Sequence, residues 1–225
     1  MLDPTPDPAP RPRADQDAQL RADLTEMEQR LEAARDDAEA PAVLAPAGYS
    51  PDALDAILER VAAAGRAYDA RAAATAAEDR AGEAEDERFD ACRRDYAAFR
   101  QIDRARFKGD PDAATALGLS GETPGGLAAF VRQARTGYVN AALEPYAERL
   151  AVRGYDTKRP GTLTDDLDAL VAASGADTSA DGAAVQATGT REVVAGDVRR
   201  DYAEFRDTAR PLLRPHPEVL RRIGL

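Results

Sequence analysis

The chain has 225 residues, 44% of them hydrophobic but only 5% aromatic and none tryptophan, so any core must be thin and alanine-rich. Its formal net charge of −11 disfavours nucleic acid and anionic membrane surfaces as partners. Cys92 is the single cysteine, which excludes an intrachain disulfide.

Ala, Leu, Arg and Glu dominate outside the turns, and no β-branched alternating run is present, so the expected fold class is all-α. Lys108 and Lys158 are the only lysines. The acidic, Asp-rich, Lys-poor balance fits either codon bias or a salt-adapted cell. No apolar run reaches membrane-spanning length, and the N-terminal stretch has no apolar core of a signal peptide. The expectation is a soluble, cytoplasmic protein.

Residues 1–13 alternate proline with polar side chains and are expected to form a disordered tail. A helix is predicted from Asp15, with Leu20, Leu24, Met27 and Leu31 on one face and Pro41 as its end. Gly48-Tyr49 reads as a left-handed cap, and Ser50-Pro51 as N-cap and first residue of the next helix. Leu54, Ile57, Leu58 and Val61 follow at helical spacing. Residues 69–88 hold no large apolar side chain; a hinge is expected there, with one uninterrupted helix as the alternative. Phe89, Tyr96, Phe99 and Ile102 mark the next buried stripe, and Asp110-Pro111 opens a short closing helix.

The second half repeats this plan. Thr123-Pro124 is the expected start of a helix carrying Leu127, Val131, Ala134 and Tyr138, broken at Pro145. Gly154-Tyr155 precedes a long connection over residues 156–166, then Leu167, Leu170 and Val171. Residues 174–182 are predicted to turn, being rich in Gly, Ser and Asp. Val194, Val198, Tyr202 and Phe205 form the last stripe; Pro211 and Pro215 predict an early end or bend, and His216-Pro217 opens the final short helix.

Residues 93–119 and 199–225, aligned without a gap at an offset of 106, agree at eleven of 27 positions. The same offset carries Leu44-Ala45 and Gly48-Tyr49 onto Leu150-Ala151 and Gly154-Tyr155. Two matches at one offset predict a helical bundle of two tandem related units, 14–119 and 120–225, related by a pseudo-two-fold. One shared core is expected, because a unit of this size with few large apolar groups is marginal alone. The order Gly-Tyr, Phe-Arg, then Pro and Gly-Leu resembles a group of uncharacterised bacterial tandem helical-bundle proteins. Tyr202, Phe205, Arg206, Arg210, Pro217, Gly224 and Leu225, with their partners in the first half, carry the resemblance. It covers nearly all the chain beyond residue 14 and implies architecture without an activity.

Catalytic chemistry finds little footing. His216 is the one histidine, held between prolines; no Glu-x-x-His, Cys-x-x-Cys or phosphate-binding glycine loop occurs. Glu83, Glu85, Asp86 and Glu87 read as a solvated helix face rather than a calcium site. No catalytic residue, metal ligand or cofactor is therefore expected, and Cys92 reads as a small buried hydrophobe. Arg100 and Arg104, and likewise Arg206 and Arg210, are one helical turn apart. With Tyr96 and Tyr202 they are the candidate contacts to a ligand or partner. The competing expectations are ion pairs with Asp or Glu of a neighbouring helix for the arginines, and core packing for the tyrosines. The function expected from this pattern is a non-enzymatic interaction or scaffold protein with a protein partner or self-association. The alternative is a bundle binding a small molecule or anion between the units.

Overall fold

The computed structural model describes residues 13–151 and 158–225, with side chains from Asp17 onward. Every regular element among them is helical: α1 (Arg13–Asp36), α2 (Ala40–Leu44), a 3₁₀ turn (Ala45–Ala47), α3 (Pro51–Arg106), α4 (Pro111–Ala116), α5 (Leu127–Ala141), α6 (Tyr146–Ala151), α7 (Arg159–Leu213) and α8 (Pro217–Arg222). The all-α expectation holds. No described helix is long and apolar enough to cross a membrane.

Two helices dominate, and both correct the sequence reading. Residues 69–88 form no hinge and residues 174–182 no turn, because each lies inside one long helix, α3 of 56 residues and α7 of 55. The reason is a stripe that never loses phase. Along α3 the side chains at 54, 57, 61, 64, 68, 71, 75, 78, 82, 85, 89, 92, 96, 99 and 103 are all buried or half-buried, in steps alternating three and four. Such a 3.5-residue period keeps one seam against a partner helix. Through the middle the seam is Arg71, Thr75, Glu78, Gly82 and Glu85, small or polar but still in register. On α7, Leu163, Leu167, Leu170, Ser174, Asp177, Ala184, Thr188, Arg191, Ala195, Val198, Tyr202, Phe205 and Ala209 continue the same rhythm.

The chain forms two compact units: unit 1 takes residues up to Ala73 together with Val185–Leu225, and unit 2 takes Ala74–Ala184. Each sequence half, 14–119 and 120–225, thus contributes to both. In unit 1, α1, α2, the first part of α3, the last part of α7 and α8 surround Leu31, Leu44, Leu54, Val198, Phe205, Leu213 and Ile223. Arg60 Nε lies 2.9 Å from Asp201 Oδ2 and the Arg191 guanidinium 5.4 Å from the Tyr68 ring centre, so α3 and α7 run antiparallel there. In unit 2, the rest of α3 and α7 with α4, α5 and α6 enclose Tyr96, Phe99, Phe107, Leu117, Phe130, Tyr138, Leu150 and Leu167. The Cys92 thiol donates to the Asp166 carbonyl at 3.6 Å, again in antiparallel register. The described core is two clusters rather than the one expected.

Helix ends follow local chemistry. Gly48 has φ 94° and caps the 3₁₀ turn, and Ser50 Oγ accepts from Ala53 N at 3.3 Å to start α3. Asp110 caps α4 through Ala113 N at 3.0 Å, and Pro145 precedes α6 as expected. Pro41 does not end α1, which stops at Asp36; it sits in the first turn of α2, where a missing N–H does no harm. α5 starts at Leu127 after Gly126 rather than at Thr123-Pro124, whose hydroxyl accepts from Arg100 instead. α7 begins at Arg159, inside the expected 156–166 connection, and runs through Pro211 to Leu213. Residues 1–12 of the tail, and Gly154-Tyr155, lie outside the described residues.

Candidate functional site

Tyr96, Arg100 and Arg104 gather at one place in unit 2, around the connection from α4 to α5. α4 ends at Ala116, and two residues on Gly118, whose φ of 66° suits glycine, reverses the chain. That reversal leaves a series of carbonyls without helical partners. Side chains of α3 and α5 take them up one by one. Tyr96 Oη donates to Gly118 O at 3.2 Å, and Gln133 Nε2 joins it at 3.1 Å. Asn140 Nδ2 donates to Ala116 O at 2.6 Å. Arg100 sends Nη2 to Leu119 O at 3.0 Å and Gly121 O at 2.6 Å, and Nη1 to Thr123 Oγ at 2.6 Å. Arg104 donates Nε and Nη2 to Leu119 O at 3.1 and 2.8 Å.

These arginines therefore meet backbone carbonyls, not the carboxylates expected of them. Arg100 is only 4% exposed and its Nε has no hydrogen-bond partner. Its guanidinium lies 5.7 Å from the Tyr96 ring centre. Burial, then the neighbouring charge of Arg104, lowers its pKa from the ordinary arginine value. Tyr96 is also packed edge-on against Phe130 and Tyr138 and stacked on Phe99, so it belongs to the core, and burial raises its pKa.

One residue at this place escaped the sequence reading. Asp103 lies between the two arginines in sequence, is 0% exposed, and neither carboxyl oxygen has a hydrogen-bond partner. Burial raises its pKa from 3.8 to about 7, because the charged form has lost its water without gaining donors. The signal was available: Asp103 falls four residues after Phe99, on the same buried stripe.

The corresponding residues of unit 1 do not reproduce this arrangement. Tyr202 is buried, and its hydroxyl accepts from Arg30 Nη1 at 3.1 Å. Arg206 is 39% exposed in its side chain and pairs with its neighbour Asp207 at 3.1 Å. Arg210 is exposed. The six candidates thus fall into two sets of three, one in each unit.

Two grooves flank this end of α3. One of ≈ 360 Å³ is lined by Arg104, Phe107, Lys108, Asp110 and Leu119 among others; the other, of ≈ 580 Å³, runs along Ala98, Ile102 and Arg106. Tyr96 and Tyr202 line neither among the described residues. Cys92 is buried and burial raises its thiol pKa, which opposes thiolate reactivity. His216 is the residue before α8, and its side chain makes no capping hydrogen bond. Among the described residues no group of three or more His, Cys, Asp or Glu side chains is placed to share a metal ion. No protein-family model, no curated protein and no solved structure matches the chain.

Proposed function

We propose that this chain is a non-enzymatic interaction or scaffold protein, soluble and cytoplasmic, that binds a protein partner or a second copy of itself. One observation carries this above all: Tyr96, Arg100, Arg104 and Tyr202, among the groups best suited to hold a ligand, are bonded within the protein. Arg100 and Arg104 donate to the carbonyls of Leu119 and Gly121, Tyr96 to that of Gly118, and Tyr202 accepts from Arg30. A guanidinium already engaged in this way must break those bonds before it can meet an anion, and that weakens the small-molecule alternative. Long helices remain, whose outer faces carry charge: Asp69, Glu83, Asp86, Glu87 and Arg88 on α3 are exposed. Extended charged helical surfaces suit protein partners more than small ligands. The tandem duplication, its pseudo-two-fold and the kinship with tandem helical-bundle proteins belong to the same proposal, supported by the matches at one offset.

Native mass measurement on the chain drawn from cell extract tests it. A complex with another protein, or a dimer of the chain, is expected. A monomer that retains a small molecule would overturn the scaffold role and restore the ligand-binding alternative.

A further inference from the structure

Asp103 has no place in a scaffold role, and its surroundings are unusual. It is fully buried with two unpartnered oxygens, one helical turn from a buried arginine whose Nε is also unpartnered. Side chains three apart on a helix are neighbours, so Asp103 and Arg100 occupy adjoining positions on α3. Yet Arg100 and Arg104 both donate to the carbonyls of the α4–α5 connection. The position 106 residues on is Ala209, also 0% exposed, so a buried carboxyl is not what this helix position needs for packing. A fully buried acid that gains no hydrogen bond is a burden unless its protonation does something.

We propose that Asp103 and the Arg100–Arg104 pair form a proton-controlled latch on the α4–α5 connection. With the carboxyl neutral, both guanidiniums hold the carbonyls of residues 119–121 and the connection is closed. On ionisation the carboxylate attracts the nearest guanidinium. Arg100 turns its unpartnered Nε toward Asp103, gives up Thr123 and Gly121, and the connection loosens. The balance is one proton released per opening.

Among the described residues, charged groups near this competition have partners of their own. On its own helix Asp103 is accompanied by Tyr96, Arg100, Arg104 and Arg106, the last donating its Nε to Arg149 O at 2.9 Å. The α5 side chains bonded to this reversal, Gln133 to Gly118 O and Asn140 to Ala116 O, are neutral. Beyond them Asp110 pairs with Arg149 of α6, and Arg135 of α5 pairs with Asp168 of α7. Burial is the influence that sets the proton affinity of Asp103. The closed form binds the proton more tightly than the open form, so opening grows with pH. It rises by about tenfold per pH unit above the ordinary carboxylate range and levels off as pH passes about 7.

Two measurements on the full chain test the latch. Carbon-detected NMR of the carboxyl groups reads the Asp103 titration directly in the unaltered protein. Hydrogen exchange, corrected for its intrinsic pH dependence, reads opening of the connection through amides such as Leu119 N–H, which is bonded to Ala114 O. The expected result is a carboxyl titrating near neutrality and opening of residues 117–123 that climbs about tenfold per unit from pH 5 to 7. Asp103→Asn and Asp103→Ala, the second copying position 209, should remove the climb and leave the connection closed at every pH. An Asp103 carboxyl titrating near 4, an unchanged climb in both variants, or loss of protection across all of unit 2 together with the connection would each overturn the latch.

Discussion

Units 1 and 2 bury apolar side chains at positions 106 apart and surround them with different polar chemistry. At positions 106 apart, Tyr96 and Tyr202, Phe99 and Phe205, Leu44 and Leu150, and Leu117 and Ile223 are all buried. Gly118 and Gly224 both have positive φ after the short closing helix. The polar residues part company. In unit 1 the closing helix α8 is pinned by a two-pronged ion pair, Arg222 Nε to Asp37 Oδ2 at 2.7 Å and Nη2 to Oδ1 at 3.1 Å. Asp37 also accepts from the backbone N–H groups of Glu39 and Ala40 at the start of α2, and Arg222 holds its carboxyl well below the ordinary range. In unit 2 those positions are Ala116 and Leu143, and α4 is held through carbonyls by Asn140, Arg100 and Arg104. Apolar packing tolerates a change of neighbours because it needs only volume and area, whereas a polar fixing needs donors and acceptors at given distances.

The shared apolar role is the part of this comparison easiest to break. Phe99 and Phe205 are both 0% exposed, so Phe99→Ala and Phe205→Ala should each destabilise by about 3–5 kcal/mol in chemical denaturation. Phe205 packs edge-on to Tyr49 at 5.3 Å and Phe99 to Tyr138 at 4.9 Å, so neither loss can be hidden by solvent. A near-neutral result in one unit alone would end the equivalence of the two aromatic positions.

Asp103 and Ala209 should differ next most. Replacing Asp103 by Ala removes a carboxyl whose proton affinity rises on folding, so the sign depends on pH. Below the ordinary value of 3.8 both folded and unfolded carboxyls are protonated, and that stabilising contribution is fully present. Between there and about 7 only the unfolded chain releases the proton, and stability falls by about 1.4 kcal/mol per pH unit before levelling. Asp103→Ala should therefore stabilise the protein by up to about 4 kcal/mol at pH 8, with the gain shrinking steadily toward pH 4. Equal gains at both ends would mean that the proton affinity of this carboxyl does not change on folding.

How much of this was legible is itself uneven. The aromatic stripes, the caps at Ser50 and Asp110 and the short closing helices followed from spacing and turn chemistry. The long helices did not, because Arg71, Thr75, Glu78, Gly82 and Glu85 look like solvent-facing residues when large apolar groups are the criterion. Their phase, steps of three and four carried through from Tyr68 to Phe89, was the better signal. The arginine–carbonyl bonds were beyond reach: guanidiniums at a spacing of four predict a shared face, but whether a carboxylate or a carbonyl meets them depends on where a chain reversal falls.

Arg100 and Arg206 occupy equivalent positions with unequal duties. Arg100→Ala takes the charged donor from Thr123 and one of two from the carbonyls of Leu119 and Gly121, where Arg104 remains, and hydrogen bonds to a charged group contribute about 1.5–3 kcal/mol. Arg206→Ala removes an exposed pair with the adjacent Asp207, which is worth about 0–1 kcal/mol. Thermal or chemical denaturation of the two variants should keep that order. A costly Arg206→Ala would show that unit 1 also relies on its arginine, and would bring the polar fixings of the units closer together.

For the glycines the signs of the effects are the test. Position 137 in unit 2 is Gly, where unit 1 has the buried Leu31. A Cβ at Gly137 would lie 2.8 Å from Leu117 O and 3.2 Å from Phe99 Cε1, so Gly137→Ala should destabilise, by about 1–3 kcal/mol. Gly182 and Gly189 sit in the middle of α7, one in each unit, both exposed, with nothing within 4 Å of an added Cβ. Each spends backbone freedom to no local purpose, so Gly182→Ala and Gly189→Ala should stabilise by about 0.5–1 kcal/mol. The measurement reaches back to the helix itself. If residues 174–182 turned, as their composition suggests, Gly182 would hold a backbone conformation that alanine resists, and Gly182→Ala would destabilise instead. Matching gains at 182 and 189 require one uninterrupted helix through both positions. A gain at 189 with a loss at 182 would place a break in the seam on the unit 2 side, where its side chains are smallest.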